Sequence, residues 1–118
     1  MKNLCFLKYG SEKSVAQVSQ DVCKNINIEL TKRESSYVGE YLKYSGPVAD
    51  SITVGPNYVS ASKYWRARDY KNFLTILDVE ITSNDCAKNL EKYQYIKQKF
   101  SGIPSVQLIE DEIVQDGS

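Results

Sequence analysis

Apolar residues crowd positions 3 to 9, Asn-Leu-Cys-Phe-Leu-Lys-Tyr, and stop at Gly10, so short a run that it predicts a buried strand. Ser11 then offers an N-cap, and Val15, Val18, Val22 and Ile26 follow at spacings of three and four, which predicts an amphipathic helix from about residue 12 to 26. Ile28 and Leu30 alternate with Glu29 and Thr31 and predict a second strand. Far along the chain, Phe73, Thr75, Leu77, Val79 and Ile81 alternate with Leu74, Ile76, Asp78 and Glu80. The first half of that segment is apolar on both faces, as in a central strand. A cap at Ser83-Asn84-Asp85 precedes a helical stripe of Cys86, Leu90, Tyr93, Ile96 or Lys97, and Phe100, which Gly102 ends. Val106 to Ile109 predict a further strand, Glu110-Asp111-Glu112 a tight turn, and Ile113-Val114 the returning arm of a hairpin.

Between these two halves, residues 34 to 71 follow no clear period. Turn signals at Ser45-Gly46-Pro47 and Gly55-Pro56-Asn57 suggest short strands, with Ile52-Thr53-Val54 and Tyr58-Val59 as the arms of a hairpin. No internal repeat or low-complexity tract is present.

Composition narrows the classes of function more than it selects one. A chain of 118 residues, 42% hydrophobic and 25% charged, suits one soluble domain. Fifteen basic and fifteen acidic side chains cancel, so overall charge does not draw it to nucleic acid or an anionic membrane. No apolar run approaches the ~20 residues of a membrane span, and the N-terminus enters a strand pattern without a signal-peptide core, which makes the cytoplasm the expected location. Cys5, Cys23 and Cys86 are an odd number, widely spaced on apolar stripes, and are expected to be buried free thiols. The chain has no histidine. That removes Ser-His and Cys-His nucleophile pairs and imidazole-based zinc sites, and leaves carboxylates, Lys or Tyr for proton transfer. No phosphate-cradling glycine loop and no paired cysteines are present, so an enzyme, a metal and a cofactor are not expected.

Taken in order, residues 73 to 115 run strand, helix, Gly-Ile-Pro-Ser-Val strand, turn, strand. This resembles the second half of thioredoxin and glutaredoxin proteins, in which an apolar residue and a cis-proline introduce the strand beside the active site. The resemblance places Ile103 and Pro104 at that pair. It implies a cis bond before Pro104 where X-Pro bonds otherwise prefer trans, and the sequence leaves both open. The first strand and helix fit the same family, but its redox Cys-x-x-Cys is replaced by Ser11-Glu12-Lys13-Ser14. With hydroxyls in place of thiols, dithiol exchange there is excluded. The implied architecture is α/β, a single mixed sheet with two main helices, thioredoxin-like with an insertion at about residues 34 to 71. The alternative is a ferredoxin-like α+β sandwich, in which residues 28 to 82 supply the central antiparallel strands.

Two surface segments carry binding chemistry. Lys63-Tyr64-Trp65-Arg66-Ala67-Arg68-Asp69-Tyr70-Lys71 interleaves cations with aromatics and holds the only Trp. Aromatic and Arg side chains anchor protein interfaces, and the same interleaving could stack on single-stranded bases. Glu110, Asp111, Glu112 and Asp116 form an acidic end that suits a basic partner. Asp78 and Glu80 share a strand face and are expected simply to be solvated. The leading expectation is a non-catalytic module that binds and blocks or scaffolds one partner protein through Tyr64, Trp65, Arg66, Arg68, Tyr70, Glu110, Asp111 and Glu112. In general style it resembles small bacterial or phage immunity and inhibitor proteins. The alternatives are a thioredoxin-like protein without its dithiol and a single-strand nucleic-acid binder.

Overall fold

The computed structural model describes residues 2–37, 39–83 and 86–116. Along them run β1 (Lys2–Ser11), α1 (Val15–Ile26), β2 (Thr31–Ser35), β3 (Gly39–Tyr44), β4 (Ser51–Pro56), β5 (Tyr58–Val59) and β6 (Tyr64–Trp65). A 3-10 turn at Arg68–Tyr70 precedes β7 (Thr75–Ile81), α2 (Cys86–Phe100) and β8 (Gln107–Asp116). Six strands form one sheet in the order β2-β3-β4-β7-β1-β8, and β5 and β6 make a separate two-stranded ribbon. The fold is therefore mixed α/β, with a large sheet and two helices, as expected.

The sheet itself is a correction: every neighbouring pair of strands described is antiparallel, whereas a mixed sheet was expected. Both helical connections explain it. Because β1 and β4 each lie antiparallel to β7, they run parallel to one another with β7 between them, and α1 lies on the path that joins them. In the same way α2 joins β7 to β8 across β1. The connection from α1 to β4 contains the extra hairpin of β2 and β3.

Strand alternation sorts side chains to two faces. One face carries Cys5, Leu7, Tyr9, Ile52, Val54, Leu77, Val79 and Ile81 into the core against Val18, Val22 and Ile26 of α1 and Ile96 and Phe100 of α2. The opposite face has no helix on it among the described residues. One end of that face is covered by a smaller cluster of Ala67, Phe73 and Ile76, with Tyr70 and Ile109 beside it. The stripe expected for the first helix, that of the second from Leu90 to Phe100, and the central position of β7 are thus observed. Asn89 on α2 was not expected to be buried; it donates to Asn3 O at 2.7 Å and to Ser83 O at 2.8 Å, and it accepts from Ser83 Oγ.

Several boundaries differ from expectation. The first helix begins at Val15, and its N-cap is Ser14, whose Oγ accepts from Gln17 N at 3.2 Å. Ser11 instead ends β1 in register with Thr75 and accepts from Lys13 N at 3.0 Å. The second strand is Thr31–Ser35 and not the Ile28 to Thr31 alternation, because α1 ends on left-handed Asn27 and residues 28 to 30 lead away from it. Ile52 to Val54 pair with β3 and β7, not with Tyr58-Val59, which pair with β6. The acidic triplet is no turn: β8 is one ten-residue strand paired along β1, with a bulge at Ile109 where the register shifts. Lys8 opposite Glu110 and Lys97 beside Asp111 compensate its charges strand-wise. The bond before Pro104 is trans. The cap expected at Asn84-Asp85 and the side chains of Cys86 and Asp116 lie outside the described residues. Cys5 is buried and Cys23 half-buried, both as free thiols that burial pushes above the ordinary cysteine range.

Candidate partner-binding face

The uncovered sheet face is built from alternate positions that the core pattern leaves over. β1 contributes Phe6 and Lys8 between Cys5, Leu7 and Tyr9. β7 contributes Asp78 and Glu80, and β8 contributes Glu110 and Glu112, each in cross-strand register with Lys8 or Phe6. These six side chains line a hollow of about 260 Å³. Lys8 Nζ stands 3.8 Å from Asp78 and 3.9 Å from Glu110, and donates to Arg66 O at 3.1 Å. The hollow thus holds one ammonium and four carboxylates, of which Asp78 and Glu110 flank Lys8 and Glu80 and Glu112 flank Phe6. Burial pushes the Asp78 carboxyl up; Lys8 and Arg66 pull it back, and Glu80 and Glu110 add to the rise.

The other half of the face has the opposite charge. Tyr41 and Lys43 of β3 and Thr53 of β4 surround a hollow of about 230 Å³ together with Arg66, which follows β6. Arg66 Cζ lies 5.8 Å from the Tyr41 ring centroid, a cation–π distance. The face is therefore divided, acidic over β7, β1 and β8 and basic over β3 and β4.

The aromatic-cationic segment is distributed by one buried residue. Asn57 is fully buried; its Nδ2 donates to Tyr70 O and Phe73 O at 3.0 Å each, and its Oδ1 accepts from Ala67 N at 2.9 Å. Its backbone bonds Leu74 and Arg66 as well. Residues 57 to 73 are thereby folded onto the sheet end. Tyr70 stacks with Phe73, centroids 6.2 Å apart, and belongs to the smaller cluster. Tyr64 stacks with Tyr37, Trp65 packs against Tyr58, and Lys71 Nζ lies 5.3 Å from the Trp65 ring. Arg68 is exposed on the 3-10 turn.

The expected contact residues therefore do not form one patch. Tyr64, Trp65 and Arg68 are at the surface of the 57 to 73 excursion, Arg66 is held on the basic half, and Glu110 and Glu112 lie on the acidic half. Asp111 points the other way, to α2, where it accepts from Lys97 Nζ at 2.6 Å and from Tyr93 Oη at 2.7 Å. Burial alone would raise its carboxyl, but these two hydrogen bonds outweigh that and hold it below the usual range. Phe6, Lys8, Tyr41, Lys43 and Thr53 were missed, and Asp78 and Glu80 were assigned to a solvated face. The signal was the alternation within β1, where Phe6 and Lys8 fall opposite the core positions.

Ser11 and Pro104 do meet, lining one hollow of about 280 Å³. Ile103 and Pro104 also line a wider, open depression of about 550 Å³ with Lys13 and Lys24. Ser14, by contrast, is spent on the α1 cap. Among the described residues no group of three or more Cys, Asp or Glu is placed to hold a metal ion, and no helix is long and apolar enough to cross a membrane. No protein-family model matches the chain, and no curated protein matches it.

Proposed function

We propose that the protein is a non-catalytic binding module that docks one partner protein bearing a basic patch. One observation carries this reading: four carboxylates line one hollow, two flanking Lys8 and two flanking Phe6, on a sheet face with no α-helix over it among the described residues. Charge of one sign on a flat, accessible face speeds encounter with the opposite sign and selects against like-charged partners. Phe6 adds apolar area in the middle of that charge. Apart from that hollow, the half-buried Trp65 and Tyr64, with Tyr58 and Tyr37, supply aromatic surface of the kind interfaces use as anchors. Blocking the active surface of a basic protein, as an immunity or inhibitor protein does, is the role this arrangement suits. The acidic half disfavours a nucleic-acid ligand, because phosphates meet carboxylates there.

The architecture supporting this role is the ferredoxin-like sandwich in preference to the thioredoxin-like one. The strand order β8-β1-β7-β4, with each helix joining two parallel strands across a third, is what favours it. The thioredoxin likeness remains local, in the meeting of Ser11 with Pro104. Free thiols at Cys5 and Cys23 suit work in the cytoplasm.

Affinity purification of the tagged protein from its native cell tests the reading. Wild type is expected to recover one stoichiometric partner with a basic surface, and the double variant Glu110→Lys/Glu112→Lys, with an unchanged circular dichroism spectrum, to lose it. Equal recovery by both proteins, or recovery of none, refutes the proposal.

A further inference from the structure

The basic half of the open face has a construction that partner docking on the acidic half does not require. The Arg66 guanidinium lies flat on the β4 backbone at Gly55: a Cβ there would stand 2.8 Å from Cζ and 2.9 Å from Nη1 and Nη2. Tyr41 flanks it through the cation–π contact. Held this way, Nε and Nη2 are buried without a hydrogen-bond partner, and no carboxylate among the described residues reaches ion-pair distance of Arg66. Lys43 has no such carboxylate either. Asp78 feels the Arg66 charge, but its ion pair is with Lys8, and it is not among the residues lining the hollow.

Lys43 and Thr53 are register partners across β3 and β4, and Tyr41 shares the face of Lys43 two residues back. The hollow is thus lined by two cations that make no ion pair among the described residues and by two hydroxyl-bearing side chains, with Asp78, the register partner of Thr53, next to it. We propose that it binds a tetrahedral oxyanion, a phosphate group, between the Lys43 ammonium, the exposed edge of Arg66 and the Thr53 and Tyr41 hydroxyls. A planar carboxylate pairs best with the two-nitrogen fork of a guanidinium, and burial of Nε and Nη2 leaves only the Nη1 edge, which disfavours that geometry. Donors converging from two strands and from Arg66 instead suit a ligand that accepts in several directions.

The test is a titration followed by amide NMR shifts at constant ionic strength, with inorganic phosphate, O-phospho-L-serine, adenosine monophosphate and acetate as separate probes. Saturable shifts clustered at residues 41 to 43, 53 to 55 and 66 are expected with phosphate-bearing probes and not with acetate. Saturation with inorganic phosphate alone identifies free phosphate as the ligand. Tighter binding of a phosphomonoester identifies a ligand-borne group. Both outcomes support the site. Lys43→Gln, an exchange at a half-buried position on a face without core contacts, is expected to weaken binding about tenfold, the loss of one charge-assisted hydrogen bond. Thr53→Val is expected to weaken it less. Acetate binding as tightly as phosphate, shifts spread over lysines throughout the chain, or affinity unchanged by Lys43→Gln overturns the proposal. None of these readouts involves Glu110 or Glu112, so this site stands or falls apart from partner docking.

Discussion

Replacing Asn57 with Ala removes the side chain that holds residues 57 to 73 against the sheet. Three hydrogen bonds disappear, Nδ2 to Tyr70 O and Phe73 O and Ala67 N to Oδ1. A typical net contribution is about 1 kcal/mol for each; the Phe73 carbonyl and the Ala67 amide lose this partner in a buried site, while Tyr70 O keeps Phe73 N. The expected loss is about 3 kcal/mol, a large fraction of the roughly 5–15 kcal/mol that holds a domain together. Asn57→Asp is expected to lose more at neutral pH, because a carboxylate would face the two carbonyl oxygens that Nδ2 now serves. Urea denaturation followed by far-UV circular dichroism and by fluorescence of Trp65, the only tryptophan, measures both effects. A Trp65 transition that precedes the dichroism transition would place the loss in the excursion itself. A loss below about 1 kcal/mol for Asn57→Ala, or an Asp variant as stable as wild type, refutes the argument that Asn57 organises this segment.

Tyr9 packs edge-on against Phe100 at 5.4 Å while its hydroxyl is buried without a partner and pushed up to about 12, by burial first and then by Asp111. Tyr9→Phe keeps the ring contact and is expected to be neutral or to stabilise by about 1 kcal/mol in the same urea assay; a clear loss would contradict it. Asp78 binds its proton more tightly folded than unfolded, so its contribution is fully present below pH 3.8 and is lost as pH rises from there through the folded value. Asp78→Asn is expected to flatten the wild-type stability profile in that window, and parallel profiles for the two proteins would refute the assignment.

Local pattern was enough for the elements that form the core. β1, both helices, and the alternation from Thr75 to Ile81 follow from apolar spacing, because these segments bury one face and their period records it. Strand pairing was not legible in the same way. Whether β1 lies beside a parallel or an antiparallel neighbour depends on contacts between residues some seventy positions apart, as in Cys5 opposite Ile81. The acidic triplet misled for a related reason. Three adjacent charges read as a turn, yet Asp111 alternates to the helix face and meets Lys97, while Glu110 and Glu112 face Lys8 and Phe6. The middle segment was illegible because its organiser is a single buried polar residue, and Asn57 in a Gly-Pro-Asn sequence looks like any other turn residue.

That topology also relocates where chemistry can reside. In the thioredoxin-like reading the active position is a helix N-terminus facing a proline, and here Ser11 and Pro104 line one hollow. But Ser11 belongs to a strand, Ser14 Oγ caps the helix by accepting from Gln17 N, and burial of Cys5 and Cys23, neither of which lines that hollow, disfavours their thiolates. The two helices share one side of the sheet, which leaves its other side as the broad surface whose side chains the core does not claim. On that surface charge is uneven, carboxylates about Lys8 and Phe6 on one half and the Lys43 and Arg66 cations about Thr53 on the other, with Asp78, the register partner of Thr53, at the boundary. Folding stability does not call for such unevenness, since pairing Arg66 with a carboxylate on the same face would relieve both halves at once. Keeping them apart suits a face that meets a positive partner on one side and a negative group on the other.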